Sequence, residues 1–524
     1  SRIKRNEGLE SGGAQDIAPH FLPDDRIVFS STRQIASQAR QLNEGRAQIF
    51  SALDEDRRSP AAVLHIYDPQ LRNEEFQQIS FNLSHDLDPT VLASGEILFS
   101  RWNNTATDHI SLYRVEPSGA GLAPVYGFHS QNTGTDGARI VFTQARQLDD
   151  GRLASVVHNV SPQSLGGEIL LIDSANYADA DQGRWENRSS GGSGQESLTD
   201  TEVRSDEMLS RGGQYGSVYP LRDGTGRLLV TWSECRVVDA DTALEDGQIA
   251  SAGDLAPCTL QPDNTDAAPP LYGAWVYDPA ADTQRPLVIA KEGLWISEVI
   301  AAENRDFPTV LPMDERFNPE LAAADQGQLR INSVYDFDGV DNSPEGIANH
   351  ARPGTTAFQQ RPARFLRVIT PVPLPDPDVY EIPRYAAGVT GAFGFREILG
   401  YVPVEPDGSV TANIPARRPF SFDILNIRGR SIGPRHNYWL QLAPGEVLEC
   451  GGCHDHASGQ PHGLVDSRPT PANPGARGIA GGVTGFPATD SERLFAETSC
   501  ATMAQTWDFH MPSDNPAASA RVLD

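Results

Sequence analysis

Two stretches of this sequence share one pattern: "PHFLPDDRIVFSSTR" at 19–33 and "PTVLASGEILFSRWN" at 89–103. They align at an offset of 70, which places residue 19 on residue 89. In each stretch a short polar turn leads into a run of apolar residues, the pattern of a turn that feeds a β-strand. The matching pairs are Pro19 with Pro89, Leu22 with Leu92, Ile27 with Ile97, Phe29 with Phe99 and Ser30 with Ser100.

Further strand-like stretches lie between and after these copies. Weaker echoes of the repeat occur at 147–158 and 220–232, and the intervening stretches are "AVLHIYDP" (62–69), "HISLYRVEPSG" (109–119), "GEILLIDSAN" (167–176) and "GAWVYDPA" (273–280). A turn, an entering strand and a strand closing near Tyr-Asp are typical of a β-propeller blade, and the unit resembles the PD40/TolB-type repeat. We expect a PD40-like propeller over residues 1–360, with roughly six or seven blades. A β-sandwich is the alternative, but it requires no repeat.

The pattern of predicted strands and turns changes after residue 360. Between 396 and 432 strands and turns alternate closely, with Pro-Asp-Gly at 406–408 as a turn signal. This predicts a small β-sandwich-like middle module over 361–447, followed by a mostly irregular segment, 448–524, that carries the cysteine motif. The fold class expected for the whole chain is therefore all-β.

Composition excludes several classes of function. The net charge of −28 argues against nucleic acid, whose phosphates the protein would repel. We find no apolar window of 18 residues, so we expect no transmembrane segment. The chain also starts without a basic-then-apolar leader, as expected for a processed or trimmed form.

The stretch "LECGGCHDHASGQPHG" at 448–463 carries the chemistry. Cys450, Cys453 and His454 have the C-x-x-C-H spacing of haem c attachment. Two thiols at this spacing reach the two vinyl groups of one porphyrin edge, and the next residue brings its imidazole to the iron. We therefore expect one covalent haem c, with His454 on the haem iron. Zinc is the less favoured alternative, bound by both cysteines and two of His454, His456 and His462; a redox dithiol would not explain the adjoining histidine.

The sixth ligand of the iron has several candidates. His462 and His510 are the first choices, and His436 is another; Met503 and Met511 are further candidates. Ligation by two histidines indicates electron transfer, whereas an open position indicates chemistry on a small molecule. The sequence leaves both alternatives open.

Two further groups of residues suggest structural sites. Cys235 and Cys258 flank one loop and predict a disulfide in an oxidising compartment, with two unrelated thiols as the alternative; Cys500 has no assigned partner. Asp336, Asp338 and Asp341 surround Gly339, a spacing that suits Ca²⁺ but also a solvated acidic turn.

Three segments together resemble the hydrazine synthase alpha-subunit-like family: "APHFLPDDRIVFSSTRQ", "FNLSHDLDPTVLASGEILFSRWN" and "REILGYVPVEPDGSVTANIPA…RHNYWLQLAPGEVLECGGCH". The resemblance covers most of the chain and is strongest over 396–462. It implies a PD40-like propeller joined to a β-module that carries a c-type haem, in an extracytoplasmic, multi-subunit setting.

The resemblance transfers residue by residue only in part. Cys450, Cys453 and His454 match the family's haem anchors. In the family, the active-site iron is bound by a tyrosine four residues after the motif histidine; here that position is Ser458, and the chain has one motif where the family has two. If the chain is an enzyme, the resemblance therefore implies a related haem-dependent oxidoreductase rather than hydrazine synthesis itself.

The function expected from these observations is that of a periplasmic or exported monohaem c-type cytochrome. Its propeller would scaffold a haem that serves electron transfer or small-molecule nitrogen redox chemistry within a larger complex. The expected partners are a redox partner protein or other cytochrome subunits, in a homo- or hetero-oligomer. The alternatives are a propeller-based interaction or assembly protein with a structural haem, and a haem-free zinc or copper propeller enzyme.

Overall fold

A computed structural model describes residues 14–454 and 471–473 of the chain. The short stretches it leaves out within that range are 47, 72–75, 105–107, 161–165, 189–190, 200–201, 239–254, 259–266, 305, 312–316, 353, 384–394, 434–435 and 437. Helices in the described part are few and short, and strands predominate.

The first half of the chain forms consecutive four-stranded antiparallel sheets, which we call blades 1 to 4. Blade 1 contains β1 (Asp16–Phe21), β2 (Ile27–Ser31), β3 (Val63–Tyr67) and β4 (Phe76–Gln78), with α1 (Ile35–Asn43) after β2; blade 2 contains β5 (Asp86–Val91), β6 (Ile97–Asn103), β7 (His109–Val115) and β8 (Ala123–Tyr126). Blade 3 contains β9 (Ile140–Gln147), β10 (Leu153–Asn159), β11 (Glu168–Ile172) and, after the hairpin β12 (Tyr177–Asp179) and β13 (Gln182–Gly183), β14 (Gln195–Ser197). Blade 4 contains β15 (Gln214–Pro220), β16 (Leu228–Ser233) and, after the hairpin β17 (Arg236–Val238) and β18 (Leu255–Pro257), β19 (Gly273–Asp278) and β20 (Thr283–Val288). Two 3₁₀-helices lie at Thr135–Gly137 and Trp185–Asn187.

The sequence repeat corresponds to the start of blades 1 and 2. β1 and β5 begin and end at residues that are 70 apart, from 16 to 86 and from 21 to 91. Each strand bulges at the same place, where Ala18 (φ 49°) and Asp88 (φ 51°) adopt left-handed backbone conformations. The two copies therefore share their turns, their strands and an irregularity within a strand.

Apolar side chains fill the spaces between successive blades. Leu64 and Phe99 belong to the core between blades 1 and 2, Phe142 to the core between blades 2 and 3, and Tyr277 to the core between blades 3 and 4. The first strands of neighbouring blades, β1, β5, β9 and β15, lie side by side as the inner strands of a propeller do. The predicted all-β, propeller-like fold is confirmed.

The expected number of blades is not confirmed. In the described part of the chain there are four four-stranded sheets of this kind, the last ending at Val288, instead of six or seven. The two inserted hairpins and an extended segment, 289–311, occupy residues that the prediction assigned to further blades. This segment runs back along the propeller: Glu298 pairs with Arg146 at 2.8 Å, and the Thr309 N–H donates to the Ala93 carbonyl at 3.0 Å.

The hairpin of β17 and β18 carries the predicted disulfide. Cys235 and Cys258 stand at the base of this hairpin and are joined by a disulfide, with their Cα atoms 5.5 Å apart. Cys258 is fully buried and packs with Leu209 and Val237 in a small apolar cluster. The bridge closes a hairpin that has little core of its own.

Two three-stranded sheets form the second part of the chain. Their strands are β21 (Gln326–Ile331), β22 (Asp336–Phe337), β23 (Val340–Asp341), β24 (Phe365–Pro371), β25 (Arg396–Pro403), β26 (Val410–Pro415), β27 (Ser421–Leu425) and β28 (Val447–Cys450), with α2 (Pro319–Ala323), α3 (Ile347–His350) and α4 (Thr356–Gln360) before β24. The sheet orders are β26-β21-β28 and β25-β24-β27, and β22 pairs with β23 as a separate hairpin. One apolar core, which includes Leu329, Leu366 and Ile414, lies between the two sheets, so the predicted sandwich-like module is present.

The boundary of this module lies earlier than residue 360. β21 pairs with β26 on one side and with β28 on the other, so residues 326–331 belong to the module rather than to the propeller. The sequence missed this strand's place because its partners lie far along the chain, where no local pattern marks the pairing.

A glutamine fixes the module to the propeller. The side chain of Gln441 is buried and accepts from the Phe81 N–H at 2.9 Å, while its Nε2 donates to the Ile79 and Gly119 carbonyls, also at 2.9 Å. Three backbone groups of blades 1 and 2 are thereby satisfied by one residue of the module.

A buried ion pair lies next to this contact. Asp86 and Arg101 are direct neighbours on β5 and β6, and both are completely buried. Arg101 Nη1 lies 3.4 Å from both carboxylate oxygens of Asp86, and Nη2 donates to the Trp439 carbonyl at 3.0 Å and to the Phe81 carbonyl at 3.4 Å. The arginine therefore links blade 2 to the loop that precedes the cysteine motif.

Candidate functional site

The cysteine motif begins where β28 leaves its sheet. β28 runs parallel to β21, with Cys450 opposite Ile331, and the Asn332 N–H continues the ladder by donating to the Cys450 carbonyl at 2.9 Å. The Cys453 N–H then donates to the Asp336 carbonyl at 2.8 Å. Gly452 allows this close approach, because a Cβ there would lie 2.4 Å from the same carbonyl oxygen.

Both motif cysteines are thiols that are not joined in a disulfide. Each is half-buried and packs against the apolar core of the module. Burial, assisted by the neighbouring Cys450, Asp336 and Asp338, raises the pKa of Cys453 to about 12. In this structure Cys453 is therefore a neutral thiol at physiological pH.

His454 is oriented by an aspartate. Its Nδ1 lies 2.9 Å from Asp338 Oδ1, and the two side chains are only 21% and 10% exposed. A carboxylate at this position holds the proton on Nδ1, so that the ring's lone pair is on Nε2. Metal-binding histidines are commonly oriented in this way by a second group.

The acidic turn around residue 338 is a hairpin. β22 and β23 are joined by Asp338 and Gly339, whose φ values of 52° and 83° are typical of a two-residue Asp-Gly turn. The turn directs Asp338 to His454. The sequence offered Asp338 as a calcium ligand or as part of a solvated acidic turn, and it missed the contact with His454. The Asp-Gly pair between short strands was a signal for the turn, but not for that contact.

The three aspartates predicted to bind calcium have other hydrogen-bond partners. Asp336 accepts from the Gly339 N–H at 2.7 Å, and Asp341 accepts from the Ile347 N–H at 2.8 Å. Among the described residues no group of three or more His, Cys, Asp or Glu side chains could hold a metal ion. The calcium site stays a prediction, and these hydrogen bonds account for the carboxylates without it.

His436 lies in the same neighbourhood. Its Nδ1 is 2.9 Å from the Tyr438 carbonyl oxygen, and its ring stacks on Phe422 at 4.9 Å between centroids, with an angle of 23° between the planes. Burial lowers the pKa of His436 to about 4, and the hydrogen bond to the Tyr438 carbonyl opposes this shift.

The other predicted ligands cannot be placed. His456, His462, Met503, His510 and Met511 lie outside the described residues, as does Cys500. Of the sixth-ligand candidates, His436 is the one that the described part of the chain contains.

A cavity of about 580 Å³ lies between the propeller and the module, away from the motif. It is formed by turns of blades 1 and 2, by residues 309–311 and by the loop at 443–446. Its lining mixes charges of both signs, with Asp24, Arg26 and Arg417 among the residues. None of the motif residues lines it.

A family model matches the part of the chain that carries the motif. Residues 365–455, which include strands of the module and the whole cysteine motif, match the family model described as the hydrazine synthase alpha subunit middle domain. The resemblance to the hydrazine synthase alpha-like family is confirmed. The matched segment ends directly after His454.

Solved structures extend the likeness to the propeller. Hydrazine synthase from Kuenenia stuttgartiensis matches 85% of this chain with a TM-score of 0.50 and 18% sequence identity. The match covers 54% of that protein's chain, so this chain spans about half of its length. At this identity the likeness concerns the fold.

Other matches are weaker. A puromycin hydrolase gives a TM-score of 0.27 at 10% identity, covering 53% of this chain and 29% of that chain. A mannose phosphorylase from Leishmania mexicana gives 0.24 at 14% identity, covering 53% and 68%. Comparison with curated proteins gives no significant match. In the described part of the chain, no helix is long and apolar enough to cross a membrane.

Proposed function

We propose that this chain is an exported haem c protein that serves a multi-subunit complex acting on small nitrogen compounds. The observation that carries the proposal is the environment of the C-x-x-C-H motif. Cys450 and Cys453 are thiols at the edge of the module's apolar core, and His454 has its Nδ1 2.9 Å from Asp338. This donor set suits two thioether bonds and one imidazole ligand.

Each of these residues would have a separate role in holding the haem. Cys450 and Cys453 would hold the porphyrin covalently, and His454 would bind the iron. Asp338 would keep the His454 proton on Nδ1 and fix the plane of its ring. When bound, the haem supplies one-electron redox chemistry, whose potential depends on the axial ligands and on burial.

The surroundings favour haem over zinc. A zinc site would need both thiols as thiolates. The module instead packs both sulfurs against apolar side chains, with the Cys453 Sγ 3.7 Å from the Val334 carbonyl oxygen. Burying a neutral thioether in this apolar environment costs less than burying an anionic sulfur close to a carbonyl oxygen.

Two further observations support the setting. The disulfide between Cys235 and Cys258 is of the kind that persists in oxidising compartments. The likeness of residues 365–455 to a hydrazine synthase subunit supports a redox partner among other cytochrome subunits.

Covalent attachment can be tested directly. The full chain would be produced with export and haem c maturation, then denatured and examined by intact mass and by the pyridine haemochrome spectrum. We expect one covalent haem per chain, lost in the Cys450→Ser/Cys453→Ser double variant and retained in Cys500→Ser, a matched control outside the motif. A chain of unmodified mass that carries zinc instead would overturn the proposal.

A further inference from the structure

We infer that His436 is the second axial ligand of the haem iron, together with His454. This assignment rests on the haem proposed above. It selects one of the two alternatives that the sequence left open, because an iron with two histidine ligands has no position for a small molecule and suits electron transfer.

The first argument is the tautomer of His436. A backbone carbonyl can only accept, so the Tyr438 oxygen at 2.9 Å requires the proton on Nδ1. The lone pair of the neutral ring is then on Nε2. His454 has the same arrangement, with Asp338 in place of the carbonyl. Each histidine therefore has one nitrogen tied to an acceptor and a lone pair on the other, which is how metal-ligating histidines are commonly held.

The second argument is that the ring is held in place before any metal arrives. Phe422 stacks against it at 4.9 Å, the His436 N–H donates to the Phe422 carbonyl at 3.2 Å, and Ser421 Oγ donates to the His436 carbonyl. Backbone and side chain are thus both tied to β27. A ring fixed on two sides loses little freedom when it binds a metal.

The third argument is location. Phe422 belongs to the same apolar core against which Cys450 and Cys453 pack. Through its stacking on Phe422, His436 is therefore tied to the core against which both thiols pack. The assignment therefore requires that one porphyrin attached at the thiols reach His436 as well as His454.

The experiment begins with the unmutated, haem-loaded full chain. Near-infrared magnetic circular dichroism and electron paramagnetic resonance of the ferric protein distinguish two imidazole ligands from imidazole with methionine, tyrosinate or water. We expect a low-spin iron with two imidazole ligands and no binding of CO to the ferrous form. A high-spin iron, or a ligand other than imidazole, overturns the assignment without any variant.

His436→Gly identifies which imidazole is involved. We expect the low-spin signal to be lost, CO to bind, and added imidazole to restore the low-spin spectrum. His350→Gln is the matched control: His350 lies in the same module, with its ring 5.0 Å from that of Tyr335, and its variant should keep the original spectrum. An unchanged spectrum in His436→Gly refutes the role of His436.

The two proposals fail in different ways. Absence of covalent haem from the unmutated chain refutes the proposed function. Covalent haem with two imidazole ligands that persists in His436→Gly refutes only the assignment of His436, and indicates a histidine beyond residue 454. If His436→Gly does not load haem, the spectra of the unmutated chain still decide whether two imidazoles bind the iron, and the assignment fails when they do not.

Discussion

Arg101 offers a sharp test of how the propeller and the module are joined. Its guanidinium is completely buried, faces the Asp86 carboxylate and donates to the Trp439 carbonyl of the module. Arg101→Met keeps much of the side chain's volume and removes its charge and its donors. Asp86 would keep the Asn82 amide at 3.2 Å as a partner, but would have no opposite charge.

The expected cost follows from this burial. Removing one partner of a buried ion pair costs about 3–5 kcal/mol, because the remaining charge stays buried without compensation. Burial already raises the pKa of Asp86, against the effect of Arg101. Without Arg101 the pKa of Asp86 should rise further. The Asp86 carboxyl is then more readily protonated at pH 5 than at pH 8, and protonation removes the uncompensated charge. The cost of Arg101→Met should therefore be greater at pH 8 than at pH 5.

The measurement is the free energy of unfolding from urea denaturation, followed by tryptophan fluorescence at both pH values. The Arg101→Met/Asp86→Asn double variant, which removes both charges, should recover most of the loss. Arg152→Met is the control: its pair with Asp150 at 2.8 Å is exposed, so the expected cost is about 0–1 kcal/mol. A loss below about 1 kcal/mol for Arg101→Met, or a double variant no more stable than the single one, would refute the argument.

Two further changes test other parts of the propeller. Burial raises the pKa of Asp179 from 3.8 to about 7, so between these two pH values the folded state holds a proton that the unfolded chain releases. The stability of the folded state should therefore fall by roughly 4 kcal/mol as the pH rises through that window. Asp179→Asn should flatten the pH dependence of thermal unfolding, and an unchanged slope would contradict the raised pKa of Asp179. Cys235→Ala/Cys258→Ala should lose about 3 kcal/mol, since the bridge spans a sequence separation of 23; reduced unmutated protein should unfold at the same temperature as this variant, and a variant that matches the oxidised protein would show that the bridge adds no stability.

Local pattern predicted the blades well. "HISLYRVEPSG" and "GAWVYDPA" correspond to strands that begin at His109 and Gly273, as expected. Each run contains alternating or continuous apolar residues and ends at a turn, and these signals lie within a few residues of one another. The repeat also indicated which strands are equivalent in neighbouring blades, because the aligned residues Ile27 and Ile97 begin β2 and β6.

The pairing of strands that lie far apart in the chain could not be predicted from the sequence. Nothing within 326–331 indicates that it lies between β26 and β28, so the module's boundary was placed too late. The blade count failed for a related reason, since inserted hairpins contain the same residue types as blade strands. The candidate site was found from Cys450, Cys453 and His454, whereas the contact of Asp338 with His454 depends on a fold that brings together residues 116 apart.

The parallel pairing of β28 with β21 has a consequence for the order of events after synthesis. Cys453 meets Val334 across 119 residues of chain, and contacts of such sequence separation form slowly because a long loop must close first. The strand β21 precedes β28 by more than 100 residues, so the strand that leads into the motif can dock only after the chain between them has been made. Both sulfurs are therefore more accessible before β28 docks than after it. If haem is attached as proposed, a variant that speeds this docking should shorten the period available for the attachment.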